Sequence, residues 1–444
     1  MKKTLLAMWD LLRGLHPVKL LLLGYASYVV GGWVLLCVPW AQSGQGVGAL
    51  DNLLISSSAV STTGLVTASV SGDYSWFGQA VILMLIQVGG LGYMTFSSFV
   101  ILCRKQPLSE TRTGVSHAVF SLPKSFRLDK FIRSVMAFTV AVEAGGAAAL
   151  YAIFRQAGEA QPLWSAVFHS VSAFCTAGFS LYDDSLVRFA DNFWLNVVVA
   201  ALSYTGAIGF IVCVDVWRRV TGKIRHITLT SKIILHVTLW MALSGTLLFF
   251  FTEPSIRSLR PDVRLMASFF QAMSAMTTVG FNTIPIGPIC RAGLLLLTVL
   301  MVIGASPSGT GGGLKSTTFS AIVGIARSVL RGETTVRFWG HRVPEERLWT
   351  AVASLGFYLA FLVVGTYFLE LTEQMPFEAL MFEAASALGT VGLSTGVTAQ
   401  LSHLGKLIVT ALMFVGRVGP LTFGTALFLS RGVLAPDRDT DVAV

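Results

Sequence analysis

The sequence predicts an all-α integral membrane protein built from four tandem copies of one helical repeat. Hydrophobic residues make up 54% of the 444 residues and charged residues only 12%, whereas about 25% of an average soluble domain is charged. Long apolar runs, such as 18–40 and 236–251, approach or reach the roughly 20 residues that a membrane-spanning helix needs. A short motif also recurs four times along the chain. This composition excludes an ordinary soluble enzyme.

The basic residues predict the orientation in the membrane. Of 32 Lys and Arg residues, 23 fall in alternate connections between apolar runs: 2–19, 104–133, 218–232, 327–347 and the tail. Cytoplasmic loops carry such an excess of positive charge. We therefore expect a multi-pass protein of a bacterial cytoplasmic (inner) membrane, with segment 1–17 and tail 431–444 both cytoplasmic. We attribute the net charge of +9 to these cytoplasmic loops rather than to binding of a nucleic acid.

The recurring motif reads S-A-x-x-T-x-G-[LF]. It occupies 58–65, 172–179, 274–281 and 386–393, and its glycines lie 114, 102 and 112 residues apart. A single match would mean little, but four at nearly constant spacing define a repeat. Before each motif lies an apolar segment too short to span a bilayer, which predicts four re-entrant pore helices at 49–60, 162–174, 264–276 and 376–388.

After each motif comes a second span that is interrupted at a glycine. The breaks are Gly89–Gly92, Gly206–Gly209, Gly304–Pro307 and Gly416–Gly419. The predicted spans are 19–40, 79–102, 132–154, 192–217, 232–251, 292–325, 349–369 and 404–430. The repeats are 18–103, 131–217, 231–326 and 348–430. Eight transmembrane helices and four pore helices are thus expected around one central pore, in a helix–pore-helix–filter–helix order.

The T-x-G turns suggest the chemistry of that pore. A dehydrated cation needs a shell of oxygens, which rings of backbone carbonyls supply in selective channels. Glycine permits the turns that aim such carbonyls at an axis. The predicted selectivity filter, and the only predicted K⁺ site, comprises Thr62, Thr63, Gly64, Leu65, Thr176, Ala177, Gly178, Phe179, Thr278, Val279, Gly280, Phe281, Thr390, Val391, Gly392 and Leu393.

The four motifs and the stretch "SPSGTGGGLKSTTF" resemble the Trk/Ktr/HKT superfamily of potassium transporters, over residues 18–430. The short N-terminus is most similar to the Ktr membrane subunit. The resemblance implies K⁺ as the transported ion, with filter glycines Gly64, Gly178, Gly280 and Gly392. Some plant relatives carry serine at the first of these and prefer sodium, so Gly64 favours potassium. It also implies a homodimer in membrane lipid, a cytoplasmic ring of nucleotide-binding regulatory subunits, and Na⁺ as a candidate stimulating ion.

Residues 304–316, "GASPSGTGGGLKS", look at first like a phosphate-binding P-loop. That motif needs G-x-x-x-x-G-K-[ST] after a strand, whereas Leu314 separates Gly313 from Lys315 and a span precedes the stretch. We expect an intramembrane gating loop instead, and no cofactor bound to this chain. The predicted gate residues are Gly304, Pro307, Gly309, Gly311, Gly312, Gly313, Lys315 and Arg417. The family usually reads "SPGSTAGGIK" here, whereas this chain has Ser308-Gly309 and Gly311, so extra flexibility is expected in this loop.

Both charged gate residues have a plainer interpretation. Lys315 could snorkel or cap loop carbonyls, and Arg417 could form an ion pair or a carbonyl clamp away from the conduction path.

Four other polar residues allow two roles each. Glu143 is expected at a tight helix interface rather than in the pore. Asp51 and Glu383 could attract cations, or serve as a helix cap and an ion-pair partner respectively. A satisfied hydrogen-bonding role is favoured for His169.

Two alternative functions remain at this stage. A sodium-preferring or Na⁺/K⁺ transporter would have the same fold. A membrane-embedded enzyme would need a recurring nucleophile–base or carboxylate–histidine arrangement, and the seven histidines show no ligand spacing. The main expectation is therefore the ion-translocating subunit of a potassium uptake system and not an enzyme.

Overall fold

The computed structural model describes residues 17–44, 46–92, 128–307 and 309–428. Most of the N-terminal segment, the end of the first repeat, the following basic connection, Ser308 and the C-terminal tail lie outside these residues. In chain order the first repeat contains α1 (Pro17–Leu36), α2 (Ala49–Ser61) and α3 (Trp76–Leu91), and the second contains α4 (Leu128–Gln156), α5 (Pro162–Phe174), α6 (Phe193–Ile208) and α7 (Phe210–Val220).

The other two repeats follow the same order. The third contains α8 (Leu229–Thr252), α9 (Pro261–Thr277), α10 (Arg291–Val302) and α11 (Ser316–Leu330), and the fourth contains α12 (Glu345–Thr372), α13 (Phe377–Gly389), α14 (His403–Val418) and α15 (Pro420–Phe428). An antiparallel hairpin of β1 (Arg337–Phe338) and β2 (His341–Arg342) lies between them.

The first helix of each repeat is long and apolar enough to cross a membrane. Within the described part of the chain, these four are the single helices that are long and apolar enough to span a membrane. The number of candidate spans rises to six if each of the two sharply bent helix pairs is counted as one span. Their outward side chains are apolar, as at Trp240 and Val363, which are 59% and 65% exposed. Apolar side chains facing outward are expected of a surface that contacts lipid.

The four pore helices are α2, α5, α9 and α13, and they begin and end within three residues of the predicted positions. Pro162 and Pro261 start two of them at the first helical position, where the missing N–H of proline costs no hydrogen bond. Each ends one or two residues before the signature threonine. Their signature segments are buried, so these helices lie at the centre of the fold.

The predicted breaks in the second spans of the second, third and fourth repeats are present, whereas the continuation of the first repeat's second span, 93–102, lies outside the described residues. α6 and α7 meet at Gly209 with a bend of 104°, and α14 and α15 meet at Gly419 with a bend of 95°. Both glycines have positive φ, 85° and 95°, a backbone region that glycine enters without steric cost. α3 ends at Leu91, and α10 and α11 are separated by the loop that follows Val302.

Polar contacts join each repeat to the next. Trp164 donates to Gln79 at 2.7 Å between the first and second repeats, and Leu186 N–H donates to the Asn282 carbonyl between the second and third. Arg291 pairs with Glu378 at 2.9 Å between the third and fourth. The fourth returns to the first through Lys406 and Asp51, 2.6 Å apart, so Asp51 forms an ion pair as well as lying in the first turn of α2.

Candidate ion pathway

A threonine with left-handed backbone follows each pore helix. The φ angles are 52° at Thr62, 51° at Thr176, 59° at Thr278 and 49° at Thr390. A β-branched residue is rarely found in this region, which costs about 1–2 kcal/mol per residue. The same uncommon conformation at all four equivalent positions indicates one built turn, used four times.

The first two residues of the motif explain this turn. The N–H of the signature threonine bonds to the alanine carbonyl, as Thr62 does to Ala59 at 3.1 Å. The next N–H bonds to the serine carbonyl, as Thr63 does to Ser58 at 2.8 Å, and the other repeats do the same. This pair of bonds resembles the Schellman helix end.

The serine hydroxyl has a role that the sequence analysis did not assign. In the first and fourth repeats, the hydroxyls of Ser58 and Ser386 each accept a bond from the motif glycine N–H at 3.0 Å. In the second and third, those of Ser172 and Ser274 donate to the carbonyls of Phe179 and Phe281. The motifs of the first and fourth repeats end in leucine, and those of the second and third end in phenylalanine. The presence of serine at the first position of all four motifs was the signal in the sequence that could have indicated this role.

The four turns form a closed ring. A Cβ added to Gly64 would lie 2.5 Å from the carbonyl oxygen of Ala177 in the second repeat. The same relation holds from Gly178 to Val279, from Gly280 to Val391, and from Gly392 back to Thr63. All four glycines have positive φ, between 66° and 98°. The structure therefore brings all the predicted filter turns together, in chain order, with each glycine against a carbonyl of the next repeat.

Glycines in the second helices hold the pore helices from behind. A Cβ on Gly89, Gly206 or Gly416 would overlap the carbonyl oxygen of Val60, Phe174 or Leu388 respectively. Each of these carbonyls lies near the end of a pore helix, so only glycine permits the close approach. In the third repeat, Gly304 instead faces the carbonyl of Gly312, within the loop itself.

Residues 304–316 form a loop that lies against the signature threonines. Thr310 hydroxyl is 3.1 Å from the Thr176 hydroxyl, and Gly312 N–H donates to the Thr278 hydroxyl at 3.2 Å. A Cβ on Gly312 would overlap the hydroxyl oxygen of Thr390. The loop thus reaches the turns of three repeats.

The loop is also bonded to the second repeat and to itself. Ser306 N–H donates to the Ala207 carbonyl at 3.1 Å, and Thr310 N–H to the Gly206 carbonyl at 3.0 Å. Ala305 N–H donates to the Gly312 carbonyl, which closes the loop. Gly309 and Gly311 lie where a Cβ would overlap neighbouring oxygens, and Gly313 has φ 72°. Pro307 lies between these anchored segments, where its ring precludes a backbone N–H donor.

The two charged residues predicted for the gate, Lys315 and Arg417, bind carbonyl oxygens. Lys315 Nζ donates to the Gly311 carbonyl at 2.8 Å, so the carbonyl-capping interpretation describes its contact. Arg417 donates through Nη1 to the Thr310 carbonyl and through Nη2 to the Gly89 carbonyl, with Gly90 at 3.5 Å. Arg417 therefore links the loop of the third repeat to the break of the first.

The remaining candidates have other partners. Glu143 is buried and accepts from Gln87 Nε2 at 3.2 Å, and the thiol of Cys175 lies 3.7 Å away, which fits the predicted interface role. Glu383 contacts hydroxyls of Ser394 and Thr398 rather than the basic side chain expected for an ion pair. His169 is hydrogen-bonded at both ring nitrogens, as expected. Among described residues, no three His, Cys, Asp or Glu side chains are grouped to hold a metal ion.

Comparison with known proteins agrees with this architecture. The chain is 34% identical to the potassium/sodium uptake protein NtpJ of Enterococcus hirae, over 92% of each sequence. It is 32% identical to the Ktr system potassium uptake protein B of Vibrio alginolyticus, over 94% of this chain and 92% of that protein. The corresponding protein of Bacillus subtilis is 33% identical over 92% of each.

The fold is also that of a solved structure. The potassium transporter TrkH from Vibrio parahaemolyticus superimposes with a TM-score of 0.74 at 18% identity, over 93% of this chain and 84% of that one. Residues 34–430 match the TrkH family model, which describes a cation transport protein. The chain therefore belongs to the TrkH family of membrane cation transporters, which are not enzymes.

Proposed function

We propose that this chain is the ion-translocating subunit of a potassium uptake system. The closed ring formed by Gly64, Gly178, Gly280 and Gly392 with the neighbouring carbonyls carries the proposal. Such a ring offers a dehydrated K⁺ a shell of oxygens from all four repeats. The membrane potential drives inward movement, with about 2.3 kcal/mol per unit charge for each 100 mV. Relatives named as potassium uptake proteins support this choice of ion.

The test is rescue of a bacterial strain that lacks its own potassium uptake. Cells carrying the chain should grow at low potassium and take up ⁸⁶Rb⁺, with the chain expressed alone or with a regulatory subunit. Failure to rescue, with the protein present in the membrane, would contradict the proposal.

A sodium-using transporter is the second candidate, because the relative NtpJ is named for both potassium and sodium. Excess Na⁺ should leave ⁸⁶Rb⁺ uptake nearly unchanged if the ring selects potassium. Strong inhibition by Na⁺, or direct ²²Na⁺ uptake at a similar rate, would favour the second candidate.

The loop at 304–316 acts in this proposal as a gate below the filter. Its contacts with Thr176, Thr278 and Thr390 support this role, because backbone next to these threonines would obstruct an ion that leaves the ring. Opening must separate these contacts, and the four glycines among residues 309–313 supply the needed backbone freedom.

The proposal also includes the assembly. The chain forms a homodimer in the inner membrane with both termini in the cytoplasm, and its loop responds to a cytoplasmic ring of nucleotide-binding regulatory subunits. The names of the Ktr system relatives support such a partner.

Deletion of residues 308–313 should increase ⁸⁶Rb⁺ uptake and weaken its dependence on the regulatory subunit, since the backbone under the ring is removed. Initial uptake rates with and without the regulator measure both effects. Thr310→Val is the milder variant, because it removes the hydroxyl bonds to Thr176 and Phe174. Thr350→Val is the control, as Thr350 is exposed and bonds only to its own helix. Equal rates and an equal regulator response in all variants would exclude the gate.

Lys315→Met should also raise uptake, because it removes a positive charge from the loop and its bond to Gly311. A unit charge about 7 Å from the ion, at an effective dielectric constant of about 20, disfavours K⁺ by about 2.4 kcal/mol, or roughly 50-fold in occupancy. The matched control Lys223→Met removes a charge from an exposed position beyond α7. An uptake rate for Lys315→Met no higher than that of the control would assign Lys315 a purely structural role.

A further inference from the structure

One buried position of the pore helix holds a different residue in each of the four repeats. It is three residues before the signature serine and holds Ile55, His169, Gln271 and Glu383. Each of these side chains is fully buried. The same position is therefore apolar in one repeat and polar in the other three, although the surrounding motif is shared.

In the fourth repeat, Glu383 binds the chain that leaves the filter. Its carboxylate accepts hydrogen bonds from Ser394, at 2.8 Å, and from Thr398. Ser394 directly follows Leu393, the last filter residue. Its hydroxyl also accepts a bond from Gly396 N–H at 3.0 Å, and the Thr398 hydroxyl oxygen lies 3.0 Å from it. The outer edge of the fourth turn is thus fastened to its own pore helix.

His169 makes the equivalent connection in the second repeat. Its Nε2 lies 3.0 Å from the hydroxyl of Ser180, which directly follows Phe179. Its Nδ1 lies 2.7 Å from the Ser165 carbonyl. Because a carbonyl can only accept, Nδ1 donates, and in the neutral ring Nε2 then accepts from the Ser180 hydroxyl. The ring also stacks on Tyr182, with centroids 4.9 Å apart.

The other two repeats lack this connection. Ile55 has no polar group, and both amide atoms of Gln271 are without a partner in the described structure. The third turn is held from outside instead, since Asn282 N–H donates to the Ser185 hydroxyl at 3.2 Å. Because the ring closes in chain order, the second and fourth repeats lie opposite each other. The signature serines fasten all four turns, but among the described residues this additional connection, from the pore helix to the residue that follows the filter, lies along one diagonal.

We infer that Glu383 and His169 are positioning residues that set the ion selectivity of the ring. Selectivity for the larger ion requires that the carbonyls do not close around a smaller one, and both spacing and flexibility of the carbonyls affect this. A turn with this additional bond at its outer edge moves less than a turn without it. This inference rests on the proposed function, in which the ring selects K⁺.

The experiment measures Na⁺ inhibition of ⁸⁶Rb⁺ uptake in the potassium-uptake-deficient strain. Glu383→Ala should lower the discrimination of Rb⁺ against Na⁺ by about 3- to 10-fold, the range that one or two lost hydrogen bonds supply. Glu383→Gln should change it by less than about threefold, because the amide can still bond to both hydroxyls. His169→Ala should act in the same direction as Glu383→Ala. The matched control is Glu378→Gln, on the same helix, whose carboxylate pairs instead with the exposed Arg291.

A ratio unchanged from wild type in folded, membrane-inserted Glu383→Ala would overturn the inference. If that variant does not fold, Ser394→Ala and Thr398→Val remove the same hydrogen bonds from the other side, and an unchanged ratio there would overturn it equally. A purely structural role would lower the amount of protein in the membrane and leave the ratio constant. Absence of Rb⁺ uptake by the unmodified chain would instead overturn the proposed function, and the inference with it.

Discussion

Gly392→Ser is expected to abolish selective potassium uptake, with at least a tenfold lower ⁸⁶Rb⁺ rate or an equivalent loss of discrimination against Na⁺. The added Cβ would overlap the Thr63 carbonyl and lie 3.0 Å from the Gly64 Cα, so the fourth and first turns would have to separate. A shift of the Thr63 carbonyl removes one ion ligand from the ring. Uptake of ⁸⁶Rb⁺ with increasing Na⁺ measures both the rate and the selectivity.

Gly396→Ser supplies the matched control. Gly396 has φ 96°, close to the 94° of Gly392, yet nothing lies within 4 Å of a Cβ added there. Serine therefore meets the same unfavourable backbone conformation at both positions, about 1–2 kcal/mol, but approaches a carbonyl at only one. Equal loss of uptake in the two variants would mean that backbone strain is responsible, and that the ring contact is not critical.

The ring could be predicted because its signal is local and repeated. Each signature needs only a helix end, a left-handed threonine and a glycine, and all three are encoded within eight residues. The positions of the pore helices and of the glycine breaks followed from the same repeats. Even the loop at 304–316 was identifiable, because it lengthens one of four otherwise equivalent breaks.

Contacts between distant segments could not be predicted in the same way. The pairing of Asp51 with Lys406 joins residues 355 positions apart, and nothing in the local pattern of either residue selects the other. Glu383 suggested an ion pair, yet its partners are hydroxyls that any loop could supply. The serine of the signature was visible, but whether it donates or accepts depends on the backbone of the following turn. These features arise from packing rather than from local preference.

The double contact of Arg417 gives the second large expected effect. Arg417→Gln should raise ⁸⁶Rb⁺ uptake several-fold and weaken the response to the regulatory subunit. The guanidinium bonds both to the Thr310 carbonyl of the loop and to the Gly89 carbonyl of the first repeat, so its removal frees the loop from one of its anchors. Glutamine also removes a positive charge near the ion path, which favours cation occupancy.

Arg417→Lys separates the two causes. Lysine keeps the charge but lacks the planar fork that reaches two acceptors at once. If the carbonyl contacts hold the gate, Arg417→Lys should resemble Arg417→Gln; if the charge controls conduction, it should resemble wild type. The control Arg291→Gln removes a charge that pairs with Glu378 at the opposite end of the second helices. Uptake and regulator response in Arg417→Gln equal to those of this control would show that Arg417 clamps structure far from the gate.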